Sequence, residues 1–232
     1  MAKSALIVGA GSGISAAFAR RVAAAGYRVA LSGRRPEKVA ALAREIDAMV
    51  IACDASDPDD VSRLFSEVDD KLGALDLVLY NASYRVRGPF LELDPGEVAK
   101  TLSVTAYGGF LVGQAAARRM VAVGRGAIFF TGASASVKGY AQSAPFAMGK
   151  FALRGLAQAM ARELGPKGIH VAHFVIDGGV RSASSNRVEG PGDTPDSLLD
   201  PDAIAATYMA VLDQPRSAWS LEVEMRPWVE RF

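Results

Sequence analysis

The sequence is poor in residues that staple a fold or hold a metal. Its 232 residues include one cysteine, Cys53, and two histidines. A lone thiol excludes an internal disulfide and most cysteine-based metal sites, and it is compatible with a reducing compartment. Neither sign of charge is in excess, since 26 lysines and arginines against 25 acids leave a formal +1. That balance gives no reason to expect nucleic acid or an anionic membrane as a partner. No apolar run reaches transmembrane length. The N-terminus lacks the charged region, long apolar core and cleavage pattern of a signal peptide. These absences imply a soluble, cytoplasmic protein. Repeats, low-complexity tracts and interdomain linkers are missing too, so one domain over residues 1–232 is expected.

What the chain does have is material for burial, with half of its residues hydrophobic, enough for a large core. The organising stretch is Ala5-Leu6-Ile7-Val8-Gly9-Ala10-Gly11-Ser12-Gly13-Ile14. An apolar run rich in branched residues fits a buried parallel strand. Three glycines follow at alternate positions, then an alanine-rich amphipathic run from Ser15 to Ala25. Strand, glycine turn and helix make a phosphate-binding geometry. Glycine lets the backbone approach a pyrophosphate, and the helix N-terminus presents free N–H groups and a positive dipole end. Gly11 to Ala16 fits G-x-G-x-x-G/A, a pattern that a turn needed only for packing would also match.

Alternation continues along the chain. Strands are expected at Tyr27–Leu31, Met49–Cys53, Leu75–Tyr80, Ala127–Phe130, Ile169–Ile176 and Leu221–Met225. Helices are expected from Pro36 to Ile46, after Asp57-Pro58 with Asp57 as N-cap, after Asp94-Pro95, from Phe146 to Leu164, and from Pro201 to Leu212. Gly108, Gly109 and Gly113 lie in the later half of the Asp94 helical region, where close packing explains them better than propensity. This order predicts an α/β protein: a Rossmann-type, doubly wound parallel sheet with helices on both faces and ligands at the C-terminal strand ends. After the second strand, Arg34 and Arg35 stand where an acid would suit the ribose of NAD and an arginine the 2′-phosphate of NADP. Solvated loop arginines are the alternative. Residues 181–200, rich in Ser, Gly, Pro and Asp, read as a mobile surface loop over the substrate pocket.

Several strand ends together resemble the short-chain dehydrogenases/reductases over essentially the full length. The turn from Gly9 to Ile14 resembles that family's T-G-x-x-x-G-I-G, with Val8 and Ser15 replacing its first and last residues. Asp54-Ala55 stands at its adenine-contacting position, Asn81-Ala82-Ser83 resembles its N-A-G, and Gly178-Gly179-Val180 lies where its P-G loop meets nicotinamide. The resemblance implies a cofactor site built from Gly9, Gly11, Ser12, Gly13, Ile14, Arg34, Arg35, Asp54, Ala55, Asn81, Ala82, Ser83, Lys150, Asp177, Gly178 and Val180. It also implies NADP(H) in preference to NAD(H), a small-molecule substrate, and a homodimer or homotetramer.

The catalytic motif departs from the family. Its Y-x-x-x-K is Phe146-Ala147-Met148-Gly149-Lys150 here, so the lysine is kept and the tyrosine is not. The family's serine position is Ala133, with Ser134 one step away, and its asparagine position is Thr105. Phenylalanine cannot exchange a proton, and losing a positioned general acid costs on the order of 10²–10⁴-fold. The resemblance therefore implies an atypical oxidoreductase acting on a small carbonyl or enoyl compound, with Lys150, Ser134 and Tyr140 as its catalytic set. Tyr84 and Tyr107 are the other candidate donors. A silent cofactor-binding scaffold and a lyase or dehalogenase on the same fold are the rival readings. Asp177 is either an acid/base and carboxamide partner or a loop-capping carboxylate. Arg85 and Arg87 either meet an anionic substrate or are solvated. His170 and His173, three apart, point to opposite faces of a strand, so no metal site is expected. Trp219, Trp228 and Phe232 read as packing or subunit contacts.

Overall fold

Continuous apolar strands demand cover on both faces, and the chain supplies it. The structure, a computed structural model, describes residues 2–182 and 186–230. Seven strands are all parallel: β1 (Ser4–Val8), β2 (Arg28–Gly33), β3 (Met49–Ala52), β4 (Leu77–Tyr80), β5 (Gly126–Thr131), β6 (Ile169–Ile176) and β7 (Glu222–Met225). Their order is β3-β2-β1-β4-β5-β6-β7. The order reverses between β1 and β4, and open sheets of this kind bind ligands at that crevice.

Side-chain alternation divides the core in two. Ala5 and Ile7 of β1 join α1 (Ile14–Ala24), α2 (Ala40–Glu45) and α7 (Pro201–Leu212) on one face. Leu6 and Val8 join α3 (Pro58–Leu72), α5 (Gly108–Val123) and α6 (Ala144–Leu164) on the other. The helix expected from Pro36 is in fact a 3₁₀ turn, Pro36–Val39, followed by α2. The N-caps lie where the Asp-Pro pairs put them. Asp57 accepts from the amides of Asp59 and Asp60, and Asp94 accepts from Glu97 at the start of α4 (Pro95–Leu102).

Between α4 and α5 the chain widens into a π turn, Ser103–Tyr107. Such turns are rare and concentrate near functional sites. The buried Tyr80 hydroxyl donates to the Val104 carbonyl inside it. A side chain at Gly108 would run into that hydroxyl and the Ala55 carbonyl, and one at Gly109 would run into Leu153. These glycines therefore serve close packing.

The described part of the loop after β6 carries backbone bridges and ion pairs. Val180 bridges Leu199 and Ser182 bridges Arg187. Arg181 pairs with Glu189 at 2.9 Å and with Asp200 at 3.1 Å. Residues 183–185 of that loop and Phe232 lie outside the described residues. Among the described helices, none is long and apolar enough to cross a membrane.

Candidate functional site

The glycine turn is built by close approach. Gly9 has φ +81°, and a side chain there would overlap the Ala82 backbone. Gly9 and Ala10 both donate to the Ser32 carbonyl at 2.9 Å, which locks the turn against β2. A side chain at Gly11 or Gly13 would meet nothing within 4 Å, so bare backbone faces open space there. Gly13, the N-cap of α1, brings no capping side chain, and the amides of a helix's first turn then need another acceptor. Asn81 braces the turn from β4. Its amide donates to Ser15 Oγ at 2.7 Å, and Ser15 Oγ donates to the Gly9 carbonyl at 3.1 Å.

Three cavities meet along this edge, and Asn81 lines all of them. The first, about 210 Å³, is lined by Gly9, Arg34, Arg35, Lys38, Asp54, Ala55, Ala82 and Ser83. Asp54 is held as a turn, accepting from the Ser56 amide at 3.0 Å and from its hydroxyl at 2.6 Å. Lys38 is a third cation that the sequence reading missed, placed there by the 3₁₀ turn. Cys53 also lines this cavity, and burial pushes its thiol up to about 12, so it stays protonated and unreactive at neutral pH. A second cavity lies under the glycine turn, with Gly11, Gly13, Ile14 and Val180 in its wall. Ser12 is exposed on the turn and lines none of the three.

The third cavity, about 700 Å³, takes in Ile14, Ser83, Ser134, Tyr140, Phe146, Lys150, Gly178 and Val180. Lys150 is 3% exposed. Its Nζ donates to the Thr131 carbonyl at 2.7 Å, and burial lowers its pKa to about 8. Phe146 stands one helical turn earlier, with the Lys150 ammonium 5.8 Å from its ring centroid. Tyr140 is the one proposed tyrosine donor on this wall, and it is 46% exposed. Ser143 Oγ fixes the Tyr140 backbone, accepting from its amide at 3.2 Å and donating to its carbonyl at 2.9 Å. Tyr84 instead donates its hydroxyl to Glu97 at 2.6 Å, and Tyr107 stacks on Phe110. Thr105, in the π turn, accepts from the Tyr84 amide at 3.3 Å.

Asp177 departs from its expected place at the cofactor. It is 1% exposed, lines none of the cavities, and pairs with Lys138 at 3.0 Å. Burial works against its ionisation, but the neighbouring Ser134 hydroxyl and Lys138 outweigh it and hold the carboxyl below its usual range. The geometry shows an ion pair to Lys138 and, among the described residues, no capping hydrogen bond to either carboxylate oxygen.

His170 and His173 both lie within β6 and are structural in their contacts. His170 stacks on Trp219 and meets the Ser220 carbonyl at 3.0 Å. His173 lies between Ser136 Oγ at 3.3 Å and Glu222 at 3.2 Å, and Ser136 in turn accepts from the Ala133 amide. This chain positions the turn after β5 that carries Ser134. No cluster of metal-ligating residues occurs among the described residues. Trp228 is exposed and donates to the Pro195 carbonyl.

A doubly wound parallel sheet with a glycine turn at its reversal point defines a Rossmann-type α/β protein. Residues 3–189 match the short chain dehydrogenase family. The chain is 33% identical over 205 residues to a short-chain dehydrogenase/reductase of Armillaria gallica, covering 84% of this chain and 78% of that one. It is 36% identical to the solved short-chain dehydrogenase of Rhodopseudomonas palustris, with a TM-score of 0.83 and coverage of 97% and 99%. A metagenomic short-chain oxidoreductase solved in complex with NADP is 26% identical, with a TM-score of 0.83 and 98% of each chain covered. The chain belongs to the short-chain dehydrogenase/reductase family of oxidoreductases.

Proposed function

We propose that this protein is an NADP(H)-dependent short-chain oxidoreductase that acts on a small carbonyl or enoyl compound through a proton donor other than the family's tyrosine. The observation that carries this reading is the meeting of the three cavities at Asn81: an arginine-lined cavity, a cavity under bare glycine backbone, and a cavity ending at Lys150. These residues fit a nicotinamide dinucleotide, which supplies or accepts a hydride when bound. The open amides of Gly11, Gly13 and the first turn of α1 would take its pyrophosphate. Arg34 and Arg35, which form no ion pair with described residues, would take the 2′-phosphate. Asp54 and Ala55 would face adenine, and Asn81, Ala82 and Ser83 would flank the middle. Lys150 would hold the ribose near Gly178 and Val180. The NADP complex of the metagenomic relative supports the choice of cofactor.

Phe146 moves no proton, so the donor must come from elsewhere on the wall. Tyr140 is the proton donor in this reading, and Ser134, on the same cavity wall, orients the substrate oxygen. The exposed Tyr107, Phe110, Met148 and Phe151 offer the apolar surface for a homo-oligomer.

Turnover is tested by following NADPH oxidation against ketones and enoyl thioesters. Tyr140→Phe should lower kcat on the order of 10²-fold or more while leaving NADPH affinity unchanged. Full activity in that variant would remove Tyr140 from the mechanism. A second reading, a silent NADP(H)-binding scaffold or sensor, is favoured by Phe146, Ala133 and Thr105 at the family's catalytic positions. It predicts NADPH binding without oxidation across the panel, and activity created by Phe146→Tyr. Calorimetry that detects binding of neither NADPH nor NADH would sink both readings.

A further inference from the structure

We propose that the Lys150 cavity takes a substrate carrying an anionic group, a carboxylate or a phosphate, gripped by Arg85 and Arg87. The inference rests on the cofactor reading above and names the substrate class of the same site. Both arginines leave the end of β4 on one irregular stretch, two residues apart, and both line the cavity. Arg187 joins them from the loop between β6 and α7. With Lys150, the wall carries four basic side chains against one acid, Glu230.

The gathering of three guanidinium groups on one cavity wall is the central observation. Some arginines of this chain pair with carboxylates, as in Arg20–Glu45 at 2.6 Å, Arg119–Asp69 at 2.6 Å and Arg154–Glu222 at 2.7 Å. Arg85, Arg87 and Arg187 form no ion pair with the described residues. They also sense one another: burial first, then the charges of Arg87 and Arg187, pull the Arg85 guanidinium below its ordinary pKa. All three are exposed to solvent, and like charges gathered on one wall raise the local potential that attracts an anion.

Phe146 gives the cluster its geometry. The Arg85 guanidinium lies 5.0 Å from the centre of the Phe146 ring, within cation–π range. The residue that removes the family's proton donor thus pins an arginine at the reaction cavity instead. A guanidinium recognises carboxylate and phosphate through paired N–H donors. Arg187 also lines the cavity under the glycine turn, where a pyrophosphate would compete for it. Arg85 and Arg87 line only the Lys150 cavity, so the assignment is made on those two.

The test uses the full-length protein saturated with NADPH, so that Arg34 and the glycine turn are already engaged. Oxalate, inorganic phosphate and neutral oxamide are titrated by calorimetry. Oxalate or phosphate should bind and oxamide should not, and the anion that binds identifies the carboxylate or the phosphate source. Arg85→Gln and Arg87→Gln should each weaken that binding about tenfold or more, with the circular dichroism spectrum and NADPH affinity unchanged. Arg85→Lys keeps the charge but loses the planar fork, and should recover only part of the loss. If a Gln variant does not fold, the Lys variant and Arg87→Ala carry the comparison. Failure of both anions to bind the NADPH-loaded protein, or equal binding by wild type and the Arg85→Gln/Arg87→Gln double variant, overturns the proposal and leaves the cofactor reading standing. Arginine-dependent oxalate or phosphate binding by a protein that ignores NADPH overturns the cofactor reading and leaves the anion site standing.

Discussion

Arg34 and Arg35 follow β2 in a turn without a carboxylate partner, on the wall of the cavity that also holds Asp54 and Ala55. Chemistry at this scale separates the two nicotinamide dinucleotides, because only one carries a phosphate on the adenosine ribose. Arg34→Ala should weaken NADPH on the order of tenfold to a hundredfold and leave NADH unchanged, as calorimetry with each cofactor would read. Equal losses for both would show that Arg34 does not read the 2′-phosphate. Gly9, Asp54 and Asn81 stand at the ends of apolar runs that the sequence shows as strands, whereas Lys150 was singled out only by the resemblance to Y-x-x-x-K. Arg187 was not legible, because no local pattern tells a residue that its neighbour in space comes from a distant segment, and Lys38 and Ser143 sit in short turns that no motif marks. Asp177 illustrates the same point. Its place at the end of β6 was readable, but its inward turn toward Lys138 depends on a loop from a different part of the chain.

The elements repeat this division. Asp57 and Asp94, each followed by proline, announce α3 and α4, and in the structure Asp57, Asp94 and Asp200 each cap a helix through their carboxylates. Capping is local chemistry, readable within four residues. The π turn at Ser103–Tyr107 left no such signature. It is held by the Tyr80 hydroxyl on the Val104 carbonyl and by the approach of Gly108 to Tyr80 and Ala55. Gly108→Ala should therefore destabilise the protein by about 1–3 kcal/mol in urea unfolding, since one of the groups in the way is backbone that cannot swing aside. A neutral substitution would mean that the π turn relaxes to admit the methyl group.

Acid stability is a property of the whole molecule to which His173 contributes. Burial lowers its pKa below the ordinary 6.5, while Glu222 pulls the other way. The unfolded chain then takes up a proton below about pH 6.5 that the native imidazole refuses, so stability falls as pH drops through that window. For this residue alone the slope is at most about 1.4 kcal/mol per pH unit. His173→Gln should flatten the fall in urea-unfolding free energy between about pH 7 and about pH 5. An unchanged slope would place the acid sensitivity of this window at His170, whose pKa burial also lowers. The same histidine links β6 to the Ser136 turn, so the substitution should also disturb the Ser134 side of the site.

Strand and helix order, the glycine turn, the Asp57 helix cap and the need for helices on both faces were written in the local sequence. Backbone sterics and side-chain periodicity act over a few residues, and apolar strands without polar alternation require cover on both sides. Convergence was decided only when the sheet assembled. Packing across the sheet set Phe146 beneath Arg85, chose Tyr140 over Tyr84 and Tyr107 for the cavity wall, turned Asp177 away from it, and brought Arg187 toward Arg85. Those contacts join distant segments whose approach depends on strand order and core packing, which no short stretch of sequence encodes.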